Sequence, residues 1–245
     1  MISTKIDIIY QDEDLVVINK PAGLLSIPDR FHPDKPNAWQ EMAKILETEL
    51  WVVHRLDKDT SGILCLAKNE KAHQNLNEQF QKRTVKKTYL ALISGHLTKG
   101  QPLEVSHSIR EHPTKLGTMI TVSKGKPALT LFEVLENFKR YTLVKAIPVS
   151  GRTHQIRVHL KAIGHPLMID PIYGNTAAFY LSAIKGRKYS QKKQTEEKPL
   201  MNRLTLHALT LDIIHPTLGI PKFFEAPLPK DFKAVVNQLR KWDCP

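Results

Sequence analysis

One carboxylate stands among cations in a short, glycine-closed run: Asp57 in His54-Arg55-Leu56-Asp57-Lys58-Asp59-Thr60-Ser61-Gly62. Arg55 and Lys58 favour its ionised form, which suits a nucleophile rather than a general acid. The same residue types also suit a plain turn in which Asp57 or Asp59 caps neighbouring backbone N–H groups. A second concentration is Ser150-Gly151-Arg152-Thr153-His154-Gln155-Ile156-Arg157-Val158-His159-Leu160. Spacing predicts a helix capped by Thr153 and stopped by Gly164, with Ile156, Leu160 and Ile163 facing inward. His154, Arg157 and Lys161 then share another face, fit to bind phosphate or a carboxylate, or simply to be solvated. His154 and His159 have neither the spacing nor the glutamate of a zinc-binding His-Glu-x-x-His pair, so no metal is expected. A third run is Lys86-Lys87-Thr88-Tyr89-Leu90-Ala91. On a strand, Tyr89 points opposite to Thr88 and Leu90, either into the core or into a cleft. In a cleft its ring would stack on a nucleobase while the lysines hold phosphates.

The elements that must position these groups are legible in the apolar spacing. Ile6, Ile8 and Tyr10 alternate as a half-buried strand, and Leu15-Val16-Val17-Ile18 reads as a buried strand ended by Pro21 and Gly23. Trp39, Met42, Ala43, Leu46 and Leu50 fall on one helical face. Gly62 to Ala67 reads as a buried strand. Asn69 then offers a cap to a helix marked by Ala72, Leu76 and Phe80. Thr88 to Ile93, Ala128 to Val134 and Leu209 to Ile213 read as strands, and Phe232, Val235, Val236, Leu239 and Trp242 as a helical stripe. This mixture lacks strict strand–helix alternation. It predicts a single α+β domain over residues 1–245, with a mixed, largely antiparallel central sheet flanked by helices.

The 245 residues carry 36 Lys+Arg against 24 Asp+Glu, a net charge of +12, and 41% are hydrophobic. Enough apolar mass is present to build a core, which excludes a disordered chain. No apolar run approaches the roughly 20 residues of a bilayer span, and Met1 to Asp7 has no apolar signal region. Cys65 and Cys244 can form neither a disulfide framework nor a closed cysteine zinc site. Glycine-rich phosphate loops and Gly-x-Ser-x-Gly elbows are missing. These exclusions leave an intracellular protein, expected in the cytoplasm, with a polyanionic partner that charge alone does not narrow to nucleic acid, acidic lipid or another protein. The C-terminal stripe is better explained as core packing than as a membrane-surface helix, so no membrane is expected. A monomer is the default. The basic stretch Lys185 to Lys198 reads as a surface insertion, with an RNA-binding loop as the other reading.

In order along the chain, these segments resemble the RluA-type family of RNA pseudouridine synthases. His54-Arg55-Leu56-Asp57-x-x-Thr60-Ser61-Gly62 matches that family's catalytic-loop signature, and Asn19-Lys20-Pro21-Ala22-Gly23-Leu24 its first motif. Lys87-Thr88-Tyr89-Leu90-Ala91 is similar to its tyrosine-bearing strand, and Gly151 to His159 to its arginine-bearing segment. Gly164-His165-Pro166-Leu167, Asp170-Pro171-x-Tyr173-Gly174, Leu206-His207-Ala208 and His215-Pro216 fit the remaining turns and strands. Ser150 stands where the family usually has threonine.

The resemblance implies isomerisation of uridine to pseudouridine in large-subunit ribosomal RNA or transfer RNA, by base flipping into an RNA-binding cleft and with no cofactor. It makes Asp57 the essential carboxylate, Arg157 the arginine expected to pair with it, and Tyr89 the ring expected to stack on the target base. Arg55 would lie beside the flipped nucleotide, and Lys20, Arg152 and His154 would shape the pocket or hold phosphates. It also implies a member without the small N-terminal S4-type RNA-binding domain, which leaves the catalytic domain to grip RNA. The competing reading is a non-catalytic RNA-binding or ribosome-assembly factor on the same fold. Retention of Asp57, Tyr89 and Arg157 together argues against it.

Overall fold

The computed structural model describes residues 6–190 and 196–244; residues 191–195 of the basic stretch lie outside the described residues. In chain order the first elements are β1 (Asp7–Gln11), β2 (Leu15–Lys20), α1 (Ala38–Leu46), β3 (Trp51–Val52), β4 (Ser61–Ala67), α2 (Glu70–Gln81) and β5 (Lys86–Ser94). Then come β6 (Leu103–Val105), β7 (Ser108–Glu111), β8 (Met119–Val122), β9 (Thr130–Asn137), β10 (Tyr141–Pro148) and α3 (Gln155–Ala162). A one-turn α4 (Ser182–Lys185) runs into a 3-10 turn, Gly186–Lys188, ahead of β11 (Leu206–Ile214), β12 (Pro221–Glu225) and α5 (Lys230–Trp242). The chain folds into two compact units. The first runs up to Tyr89 and includes His207–Pro227; the second comprises Leu90–Leu206 and the chain from Leu228 on. Two of the crossings fall inside strands, β5 and β11, so no linker composition marks them.

In the first unit β1 pairs antiparallel with β2, β2 and β3 with β4, and β12 with β11, while β4 and β11 run parallel. Both faces of β2 are covered, which is why Leu15 to Ile18 is continuously apolar. Leu15 and Val17 pack with Ile63, Ala72, Leu76 and Leu211. Val16 and Ile18 pack with Ala38, Met42, Leu64 and Leu66. The two helices of this unit start at asparagines whose side chains accept a backbone N–H, Asn37 from Gln40 at 3.0 Å and Asn69 from Ala72 at 2.8 Å. The expected alternation of β1 breaks at a bulge between Ile8 and Tyr10, leaving Ile8 42% exposed. Leu50 lies outside the helix that its spacing suggested. The chain turns at Glu47 (φ 49°), and Leu50 reaches the same apolar cluster from beyond the helix end.

Gly62 fixes the parallel contact. Its φ is 114°, and a Cβ there would stand 2.1 Å from the Ala208 carbonyl oxygen. Beside it the Ser61 hydroxyl lies 2.9 Å from His207 Nδ1, while His207 Nε2 faces the Ala226 carbonyl at 3.3 Å. The second nitrogen must donate to that carbonyl, and in the neutral ring the first then accepts from Ser61.

In the second unit β10, β9 and β6 form an antiparallel ladder and β7 and β8 a separate hairpin. Ile109, Ala128, Val158 and Tyr173 share a buried cluster that joins α3 to this hairpin. Phe232, Val235, Val236 and Leu239 of α5 are buried, as their stripe predicts. The cap position of α3 falls one residue beyond Thr153, on His154 in a left-handed conformation (φ 54°), and Gly164 (φ 82°) follows its end. Among the described residues, no helix is long and apolar enough to cross a membrane.

Candidate active site

Asp57 lies in the loop between β3 and β4, half-buried, and the backbone on both sides of it is clamped. The Ser26 hydroxyl donates to the Leu56 carbonyl at 2.8 Å and accepts the Leu56 N–H at 3.0 Å. On the other side the Lys58 carbonyl accepts from the Gly23 N–H and from Lys20 Nζ, each at 3.0 Å. The Thr60 N–H closes the turn on the Asp57 carbonyl at 3.2 Å. These clamps hold backbone atoms on both sides of the carboxylate and so fix where its side chain starts.

Lys20 is fully buried, and its ammonium also donates to the carbonyls of Pro21 at 3.0 Å and Leu24 at 2.7 Å. Three backbone carbonyls thus surround the charge and tie it to the Asp57 loop. Arg55 is exposed beside Asp57.

His54 supports the same loop from below. Its Nε2 accepts the Cys65 N–H at 3.0 Å and its ring stacks on Phe80 with centroids 4.8 Å apart. Burial, helped by the Lys87 charge, lowers its pKa from 6.5 to about 3. The fold therefore keeps His54 neutral where the unfolded chain takes up a proton. Between these two values the unfolded state binds more protons, so stability falls on acidification, by up to about 1.4 kcal/mol per pH unit. His54→Gln keeps an acceptor for the Cys65 N–H but cannot titrate. Urea unfolding between about pH 4 and 6.5 should show a shallower loss for this variant; equal slopes would contradict the assignment.

Tyr89, on β5, is half-buried. Burial and, secondarily, the Asp57 carboxylate push its hydroxyl far above the ordinary tyrosine range. The phenol thus stays protonated, close enough to Asp57 to feel its charge.

In the second unit Arg157 is 4% exposed and Asp170 fully buried. Arg157 Nε and one terminal nitrogen each reach an Asp170 oxygen at 2.8 Å, a fork-to-fork pair. Asp170 Oδ1 also accepts the N–H groups of Ile172 and Tyr173 at 3.0 Å, which shapes the Asp-Pro-x-Tyr-Gly turn. That turn delivers the Tyr173 ring to the expected basic face of α3. Arg157 lies 4.9 Å and Lys161 5.7 Å from the ring centroid, and His154 Nδ1 is 2.8 Å from the hydroxyl. Arg157 is therefore no solvated cation.

Around it, Gln155 accepts from the Ser150 hydroxyl at 2.7 Å and the Arg152 N–H at 3.0 Å, and donates to the Leu129 carbonyl at 2.9 Å. Arg152 Nε donates to the Pro127 carbonyl at 3.2 Å. Sequence reasoning placed Asp170 and Tyr173 only in a turn and overlooked Ser26. The turn signature was the available signal for the first two; nothing local marks Ser26.

Among the described residues, Asp12, Asp14 and His215 stand close enough to share a metal ion. Hydrogen bonds link two of them to each other and to the neighbouring backbone. Asp12 accepts from Tyr10 Oη and His215 Nε2, both at 2.7 Å, and from the N–H groups of Asp14 and Leu15. His215 Nδ1 accepts the N–H groups of Thr217 and Leu218. Burial pushes the Asp12 carboxyl up, but these hydrogen bonds outweigh it and hold the pKa at about 2. The cluster ties β1 to the turn after β11.

The family model described as RNA pseudouridylate synthase matches residues 14–162. Ribosomal large subunit pseudouridine synthase D of Nitrosomonas europaea is 39% identical over 237 residues, covering 95% of this chain and 65% of that protein. The protein of the same name from Escherichia coli is 36% identical over 241 residues, covering 96% and 71%. This chain thus spans about two thirds of the length of these curated relatives. The solved structure of human RNA Pseudouridylate Synthase Domain Containing 4 superposes with a TM-score of 0.72 at 29% identity, over 96% of this chain and 93% of that one. Both chain-wide comparisons and the motifs around Asp57, Tyr89 and Arg157 converge, and the chain belongs to the RNA pseudouridylate synthase family, of the RluA type.

Proposed function

We propose that the protein isomerises uridines of large-subunit ribosomal RNA to pseudouridine, with Asp57 as its catalytic carboxylate. The observation that carries this reading is the backbone-clamped Asp57 loop with the protonated Tyr89 phenol within electrostatic reach. The choice of ribosomal over transfer RNA rests on the names of the relatives, ribosomal large subunit pseudouridine synthases.

In the reaction the bond between the ribose carbon and the ring nitrogen breaks, and the uracil turns. Carbon-5 of the ring then bonds to the same ribose carbon, carbon-5 gives up a proton, and the freed nitrogen takes one. Atoms and electrons balance within the nucleotide, so the chemistry calls for no cofactor. A stacked uridine hides its glycosidic bond, so the target base must leave the stack. Arg55, exposed and two residues before Asp57, fills the gap in this reading. Tyr89 stacks on the flipped uracil and, kept neutral, offers its hydroxyl as a donor. Asp57 acts ionised on the sugar or the ring. Arg157 is the third member, its guanidinium oriented by Asp170 and Tyr173. Lys20 positions the loop, and Arg152 and His154 brace the Arg157 segment. The +12 charge holds the RNA, and we place the protein in the cytoplasm as a monomer.

Mapping pseudouridines in cells with and without the protein tests the reading. Loss of sites in large-subunit ribosomal RNA on removal is the expected result. Loss confined to transfer RNA would move the substrate, and unchanged maps in both would contradict the function.

A further inference from the structure

We propose that the second unit carries an additional RNA-contacting surface, where Lys185, Lys188 and Lys241 gather around the Trp242 ring. It rests on the reading of RNA as substrate and assigns a task to the start of the basic stretch. Helix α4 and the turn after it bring Lys185 Nζ to 4.8 Å and Lys188 Nζ to 5.8 Å from the ring centroid. From α5 itself, Lys241 Nζ lies at 5.4 Å.

A ring quadrupole attracts a cation, but three ammoniums around one ring repel one another. The indole N–H is buried and has no acceptor. Every polar group collected here is therefore a donor. The carboxylates at hand have other partners. Asp243 accepts from Arg140 Nε at 2.8 Å and from the Arg140 N–H at 3.0 Å. Glu197 accepts the Ser182 N–H at 2.9 Å and the Tyr189 hydroxyl.

The complement of such a surface is a run of anionic oxygens. An RNA strand supplies phosphates for the lysines and sugar or base surface for the indole. An acidic bilayer fits poorly, because the apolar stripe of α5 (Phe232, Val235, Val236, Leu239) is buried in the fold and leaves nothing to insert.

The test is filter binding of a protein-free transcript of large-subunit ribosomal RNA across a salt series. The probes are the wild type, the triple variant Lys185→Gln/Lys188→Gln/Lys241→Gln and the corresponding Lys→Arg triple. The Gln triple should bind about tenfold more weakly at low salt, with a log–log salt slope shallower by about 2, and the Arg triple should bind as wild type. If the Gln triple fails to fold, Lys188→Gln alone, at an exposed side chain, should still make the slope shallower by about 0.7. Wild-type affinity and slope in the Gln variants would overturn the proposal. Assaying pseudouridine in the same wild-type reactions separates the two readings. Binding without modification counts against the enzyme function, whereas the slopes alone decide the surface.

Discussion

Asp57→Asn is expected to lower pseudouridine formation by more than about a thousandfold while leaving RNA affinity within a few-fold. Asparagine has the shape of aspartate but no charge, and it replaces one acceptor oxygen by an NH2 donor. The contacts that set the loop are made by backbone atoms of Leu56, Lys58 and Asp57 itself, so they survive the substitution. Binding depends on many phosphate contacts and so barely registers one lost carboxylate. A second readout belongs to the same variant. The Tyr89 hydroxyl is raised mainly by burial and in smaller part by the Asp57 charge, so its titration should move down in Asp57→Asn yet stay above the ordinary range. Single-turnover assays on ribosomal RNA measure the first effect, and ultraviolet titration against a Tyr89→Phe control the second. Near-normal turnover would remove Asp57 from the mechanism.

Asp170→Ala is expected to cost about 3–5 kcal/mol of folding stability, because it removes the bidentate carboxylate partner of a buried guanidinium. Arg157 is 4% exposed and Asp170 fully buried, so solvent does little to screen the loss. Asp170 also holds two N–H groups of its own turn, which would lose their acceptor. Replacing the pair together, Arg157→Met with Asp170→Leu, removes both charges and should recover much of that stability while the enzyme stays inactive. Urea unfolding of both variants checks this. A single substitution costing under about 1 kcal/mol would mean that the pair is not desolvated as described.

What the sequence disclosed divides along a physical line. Features encoded over a few residues were legible: the Asn37 and Asn69 helix starts, the doubly covered β2, and the density of charge around Asp57. Features made by loop closure were not. Ser26 lies 30 residues from the Leu56 backbone it clamps, and nothing in the local pattern announces that pairing. Lys20 follows an apolar run and has the charge of a phosphate binder. Its burial comes from the Leu24 and Lys58 carbonyls folding over it, a tertiary event. Arg157 falls on a helical face with His154 and Lys161 as its spacing predicts, but only the fold shows that Tyr173 and Asp170 enclose that face.

The central claim is that this chain rearranges a glycosidic bond within one nucleotide, through one clamped carboxylate and without releasing the base. Purified protein, a large-subunit ribosomal RNA transcript and no added cofactor suffice to test it. Nucleoside analysis should show uridine lost and pseudouridine gained in equal amounts, with RNA mass unchanged and no free uracil. Released uracil with abasic sites, or no change in the RNA at all, would contradict it.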